Sequence, residues 1–215
     1  MNPYYKLTHF ALIKIFKSLF NLKAIGNKNI PQKGSVLILS NHASNLDPFL
    51  VGTSLFREVH FLAKAELFKP MLLNKTLSSL NAFPIKRGAV DRKAFSKCLQ
   101  ILKEKKVLLL FPEGTRSRNG ELQEGHAGAG MIIAKAITNF HTIIIPAYIR
   151  DSYKSLPKGK LIPNLNPIQV IFGIPIEYSE EILNNPNKEN YQKVVNIAMK
   201  KINSLKRLHN GNNLS

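Results

Sequence analysis

Val36-Leu37-Ile38-Leu39-Ser40-Asn41-His42-Ala43-Ser44-Asn45-Leu46-Asp47-Pro48 decides how this chain is read. An unbroken apolar run bounded by turn-type residues is the pattern of a strand buried on both faces. Asp47-Pro48 then reads as a helix start, with proline at the first helical position. A buried strand that turns into a helix is the first half of a βαβ unit. The loop at the strand's C-terminal end is where open α/β sheets carry their chemistry. That loop holds His42 and Asp47, five positions apart, the residue types of a base and its orienting carboxylate. With 6 histidines in 215 residues, a chance H-x4-D is expected roughly 8% of the time. The pair therefore needs a substrate site beside it to mean anything.

The rest of the chain repeats the strand–helix alternation. Short strands are expected at residues 58–63, 82–85, 107–111, 143–149 and 169–172. Helices are expected at 67–80, 91–106 with Asp91 as cap, 126–138 and 188–208. Such alternation predicts an α/β fold with a largely parallel central sheet flanked by helices. Pro146 falls inside an expected strand, where proline is poorly tolerated, and suggests a bulge or strand end. Cys98, on an apolar helical stripe, is expected in the core. With no internal repeat or long linker, the organisation reads as one α/β domain over 31–208. An N-terminal segment (1–30) precedes it and a frayed tail (209–215) follows.

Residues 4–22, YYKLTHFALIKIFKSLFNL, have helical periodicity with a broad apolar face and Lys6, Lys14 and Lys17 on the other side. The lysines interrupt it too often for a membrane span or a signal peptide. A basic amphipathic helix with aromatic residues suits a membrane interface. A helix packed on the core shows the same pattern, and the two are compatible.

The net charge is +18, from 31 Lys+Arg against 13 Asp+Glu. It calls for an anionic partner: nucleic acid, anionic lipid or an acidic carrier protein. No zinc-finger spacing, basic zipper or RNP-type aromatic motif is present, which argues against nucleic acid. A single cysteine excludes an internal disulfide framework and a cysteine-based metal site, and no His-x3-His metal spacing of the H-E-x-x-H type occurs.

Phe111-Pro112-Glu113-Gly114-Thr115-Arg116-Ser117-Arg118 follows directly on the 107–111 strand. Gly114 permits close backbone approach, Thr115 and Ser117 offer hydroxyls, and Arg116 and Arg118 offer forks suited to phosphate. Glu113 is suited to orienting an arginine or accepting from a ligand hydroxyl. Phe83-Pro84-Ile85-Lys86-Arg87-Gly88 is a second loop of this kind, with Arg87 near a helix start. A base and two arginine-bearing loops at strand ends suggest deprotonation of a hydroxyl on a phosphorylated substrate.

NHASNLDP, FPIKRG, FPEGTRSR and IIIPAYI stand in the order and approximate spacing of the four motifs of the glycerolipid acyltransferases. The chain resembles that family over about residues 35–150, and within it the bacterial 1-acyl-glycerol-3-phosphate (lysophosphatidate) acyltransferases. The resemblance implies a general base at His42, oriented by Asp47. It implies glycerol-phosphate contacts from Arg87, Glu113, Gly114, Thr115 and Arg116, and an acyl-donor or acyl-chain site shaped by Pro146. It also implies no metal and no cofactor, with an acyl-ACP or acyl-CoA thioester as co-substrate and lysophosphatidate as acceptor. The anionic cytoplasmic face of the cell membrane would be the place of work, with the protein monotopic or peripheral. His126 stands where family members often carry a lysine, and no catalytic role is assigned to it. Two rivals remain open: a family acyltransferase with another lysolipid acceptor, and a non-catalytic basic lipid-binding protein.

Overall fold

A computed structural model describes residues 3–86 and 91–211. The elements in chain order are α1 (Pro3–Phe20), β1 (Lys23–Ile25), β2 (Val36–Ser40), α2 (Asp47–Thr53), β3 (Val59–Lys64), α3 (Met71–Ser79) and β4 (Ala82–Ile85). There follow α4 (Arg92–Lys103), β5 (Val107–Leu110), α5 (Ala127–Phe140), β6 (Ile143–Arg150), α6 (Ser152–Ser155), β7 (Gln169–Phe172), α7 (Glu180–Leu183) and α8 (Lys188–Gly211). The strands form one sheet of seven, in the order β1-β7-β6-β2-β5-β3-β4.

The apolar run at 36–39 is explained by its place. β2 is central and pairs in parallel with β5 on one side and β6 on the other. All five of its residues are buried. Val36 and Ile38 face a core shared with Phe16 and Phe20 of α1, Leu50 and Val51 of α2, and Leu77 of α3. Leu37 and Leu39 face the opposite core, with Cys98 and Leu102 of α4, Ile133 of α5 and Val194 and Ile202 of α8. Helices therefore cover both faces, as a parallel sheet requires. Asp91 caps α4 as expected, accepting from the Ala94 amide at 3.0 Å. The small residues that open α5 let it lie against α8: a Cβ on Gly130 would stand 1.8 Å from the Tyr191 carbonyl oxygen.

Several expectations are corrected. The strand through Pro146 is unbroken, and Pro146 is in register with Leu39. Its carbonyl accepts from the Gly173 amide (2.8 Å), so its missing N–H lies on that same side, just past the last β6–β7 register pair, Ala147 and Phe172. No bond to β2 is forfeited. The helix expected over 67–80 is split by Pro70 into a 3-10 turn, Ala65–Phe68, and α3. β7 runs antiparallel to β6, reached by a loop rather than a helical crossover. The N-terminal segment also contributes β1, whose three exposed residues show no apolar pattern and which pairs with β7 through its backbone. α8 continues to Gly211, past the expected end at 208.

Candidate active site

Where β2 ends, the chain does not join α2 directly. Asn41 prolongs the sheet by using its side chain as a strand: its Nδ2 donates to the Ile149 carbonyl (3.1 Å) and its Oδ1 accepts from the Ile149 amide (2.7 Å). The next residue, His42, is thereby placed over the edge of the sheet. Asp47, in the first turn of α2, is wholly buried and turns its Oδ2 back into the loop. That oxygen accepts from the Ala43 and Ser44 amides, each at 2.7 Å, and from His42 Nδ1 at 2.9 Å. A carboxylate can only accept, so Nδ1 carries the proton of this bond and Nε2 is left with its lone pair. Nε2 has no partner among the described residues. The five-residue spacing thus serves a closed turn in which the acid orients both the loop and the ring.

The loop after β5 holds His42 from three further directions. Phe111 stacks on the imidazole, with ring centroids 4.0 Å apart and planes 15° from parallel. The Ser117 amide donates to the His42 carbonyl (2.7 Å). The His42 amide donates to Glu113 Oε1 (3.0 Å), while Glu113 Oε2 accepts from the Gln123 amide (3.1 Å). Both oxygens of Glu113 are therefore engaged by backbone, tying the His42 loop to both ends of the 113–123 loop.

Burial pushes the Glu113 carboxyl up from 4.5 to about 7, against the pull of its two amide donors; the nearby Asp47 adds to the rise. The consequence for stability has a definite sign. The folded state holds this proton more tightly than the unfolded chain, so stability falls as pH rises from about 4.5 through about 7. A shift of this size corresponds to about 3 kcal/mol. Glu113→Gln cannot titrate and should flatten this part of the profile. Denaturant titrations from pH 5 to 8 check this; an unchanged slope would remove Glu113 as its source.

Gly114 lies at φ +65°, and a Cβ there would stand 3.0 Å from Cδ2 of His126, the residue that precedes α5. Thr115 and Arg116, the next two residues of this loop, are both half-buried. Arg116 has no hydrogen bond or ion pair among the described residues. Gly114→Ala should cost about 1–2 kcal/mol through the left-handed backbone alone. Denaturation midpoints of the variant check this.

Of the residues singled out from sequence, His42, Asp47, Glu113 and Gly114 are brought together. Arg87 lies outside the described residues. Pro146 is buried in β6, its ring beside Gly173 and in register with Leu39, whose side chain faces the core under α8. His126 stands against the loop, as its position near the small-residue segment suggested. Sequence reading missed Phe111, taken only as the end of a strand, and Asn41, whose polar side chain at the end of an apolar run was the available signal. Ser117, singled out for its hydroxyl, grips His42 through its backbone amide instead, and Gln123, which also acts through its amide, was missed because an amide leaves no trace in residue type. No group of three or more potential metal ligands occurs among the described residues.

The sequence profile of the acyltransferase family matches residues 21–150, the span that holds β2, His42, Asp47 and the 111–118 loop. The chain belongs to this family. It is 27% identical over 190 residues to the chloroplastic 1-acyl-sn-glycerol-3-phosphate acyltransferase of Arabidopsis thaliana, an alignment covering 83% of this chain and 51% of that one. The chain thus spans about half the length of that relative. With the 1-acyl-sn-glycerol-3-phosphate acyltransferase of Bacillus subtilis it shares 25% identity over 187 residues, 86% of this chain and 88% of the other. The crystal structure of the 1-acyl-sn-glycerophosphate (LPA) acyltransferase of Thermotoga maritima has the same fold, with a TM-score of 0.66 at 24% identity, covering 92% of this chain and 81% of that one.

Proposed function

We propose that this acyltransferase moves a fatty acyl chain from an acyl-carrier-protein or coenzyme A thioester to the sn-2 hydroxyl of 1-acylglycerol-3-phosphate, making phosphatidate. The carrying observation is the His42–Asp47 pair: a ring fixed by a buried carboxylate, with Nε2 free for a substrate proton. The names of the relatives support the acceptor.

In this reading Nε2 takes the proton of the sn-2 hydroxyl as its oxygen attacks the thioester carbonyl. The resulting imidazolium is stabilised by Asp47. Collapse of the tetrahedral intermediate breaks the carbon–sulfur bond, and the same proton passes from His42 to the departing thiolate. An ester and a free thiol result. The reaction needs no redox step, and the acceptor hydroxyl replaces a protein nucleophile. Gly114, Thr115 and Arg116, with Arg87, bind the glycerol phosphate, and Glu113 shapes the loop that presents them. Pro146, inside β6, bears on an acyl site through the packing of that strand.

The work is done at the cytoplasmic face of the membrane, with the protein monotopic or peripheral. No helix among the described residues is long and apolar enough to cross a membrane. α1 serves both roles its periodicity allows. Tyr5, Phe16 and Phe20 are buried in the domain, while Leu7 (71%) and Phe10 (59%) remain exposed. The +18 charge suits an anionic surface and an acidic carrier alike.

Thioester consumption by the purified protein, measured across a panel of lysophospholipids with each donor, tests the proposal. Turnover should be highest with lysophosphatidate. Preference for another lysolipid would replace the acceptor, and no turnover with any would leave a lipid-binding protein.

A further inference from the structure

Two clusters of apolar side chains face solvent at the edge of the sheet that carries His42. The first spans the 3-10 turn Ala65–Phe68 and the head of α3. Leu67, Met71, Leu72 and Leu73 are 41, 71, 80 and 38% exposed, while the helix's inward contact is made by Leu77. A helix that turns three consecutive apolar residues outward is not explained by its own core. Lys64, Lys69 and Lys75, all exposed, are interspersed with these residues along the chain, and Glu66 is the one acid between positions 64 and 75. The second is the loop between α6 and β7, where Leu161, Ile162 and Leu165 are 94, 82 and 59% exposed. Lys158 and Lys160 stand beside them, and no acid occurs from 154 to 167.

Register fixes where these clusters lie. Ile38 of β2, Leu109 of β5 and Phe61 of β3 share one level across the sheet. Three residues further along are Asn41, Pro112 and Lys64, so the segment leading to α3 leaves the sheet at the height of the His42 loop. It does so two strands away, or about 10 Å. On the other side, Ser40 is level with Ala147 of the adjacent β6. Arg150, where β6 ends, is thus level with Ala43, and the loop bearing Leu161 and Ile162 begins there. The His42 loop lies between two apolar tips, each accompanied by lysines along the chain.

We infer that these tips are insertion points that seat the catalytic edge on an anionic bilayer, straddling the entrance to His42. Leucine, isoleucine and methionine enter the acyl boundary while the lysines meet anionic headgroups. This deepens the function proposed above by naming the surface that delivers its lipid substrate, and it rests on that reading for the identity of the substrate. An acceptor lying in the leaflet would then bring its glycerol phosphate to Arg116 without its acyl chain crossing water.

The chain contains no tryptophan, so single introduced tryptophans report without background. Leu72→Trp and Ile162→Trp should shift to the blue on adding vesicles of phosphatidylcholine mixed equally with phosphatidylglycerol. They should also be quenched by quenchers placed in the acyl region. Phe56→Trp, at an 81% exposed site on the opposite edge of the sheet, should do neither. The double variants Met71→Glu/Leu72→Glu and Leu161→Glu/Ile162→Glu should each weaken vesicle binding by about tenfold. Transfer to a water-soluble short-chain acceptor should be unchanged, which also shows that the variants are folded. Unshifted probes at 72 and 162, unchanged vesicle affinity, or self-association through these tips without lipid would overturn the inference. Shifted probes without lysophosphatidate turnover would instead overturn the acceptor and leave the surface standing.

Discussion

His42→Ala should lower kcat for acyl transfer by about 10^2–10^4, the range that a positioned general base supplies. KM for the acceptor should change little if, as proposed, the phosphate contacts belong to the 114–116 loop. The ring is held by Asp47 at Nδ1 and by Phe111 on its face, and its backbone by Glu113 and Ser117. The backbone grip survives loss of the imidazole, so the variant should fold and bind lysophosphatidate while failing to transfer. Single-turnover transfer with a bound donor, alongside equilibrium binding of lysophosphatidate, separates the two. Undiminished transfer would remove His42 as the base; lost binding with it would show instead that the ring shapes the acceptor site.

The parts of the fold that were legible share one property: their side chains are sorted by burial. β2 reads as a strand because it is buried on both faces, and α4 reads as a helix because Asp91 caps a stripe ending in Leu102. β1 was illegible because its exposed Lys23, Ala24 and Ile25 are held by hydrogen bonds to β7 that any sequence could make. The direction of β7 was hidden for a similar reason, since an apolar four-residue strand looks alike in either sense. Pro146 misled because proline's cost depends on which side its missing N–H faces, a property of register and not of residue type. In the candidate site, the His42–Asp47 pair and the glycine at 114 were readable. The grip on them was not, because the Ser117 and Gln123 amides carry no side-chain signature. Glu113 was read as orienting an arginine or accepting from a ligand hydroxyl, and the family resemblance implied a glycerol-phosphate contact. The structure gives both its oxygens to amides of the protein itself.

Asp47 permits a finer test than deletion. Its Oδ2 is fixed by the Ala43 and Ser44 amides as well as by His42, whereas its Oδ1 is buried without a partner. In Asp47→Asn the two backbone donors should select the amide rotamer with oxygen at the Oδ2 position, since the opposite rotamer would set NH2 against three donors. The amide oxygen then still accepts from Nδ1, so His42 keeps its tautomer and orientation. What disappears is the negative charge beside the imidazolium that the proposed mechanism forms as the hydroxyl is deprotonated. The loss should appear in kcat, by about 10^2–10^3, because that charge matters in the transition state and not in binding. The NH2 left at the unpartnered Oδ1 position should cost about 1–3 kcal/mol of stability. Asp47→Ala should go further, freeing the Ala43 and Ser44 amides and loosening the whole turn, so that acceptor binding weakens along with kcat. Two signatures distinguish these outcomes: the imidazole nitrogen chemical shifts of His42 in Asp47→Asn, which should report proton occupancy at Nδ1, and the split between kcat and KM in the two variants. A tautomer change in the asparagine variant would show that the carboxylate charge, and not the two backbone amides, holds the pair in its working arrangement.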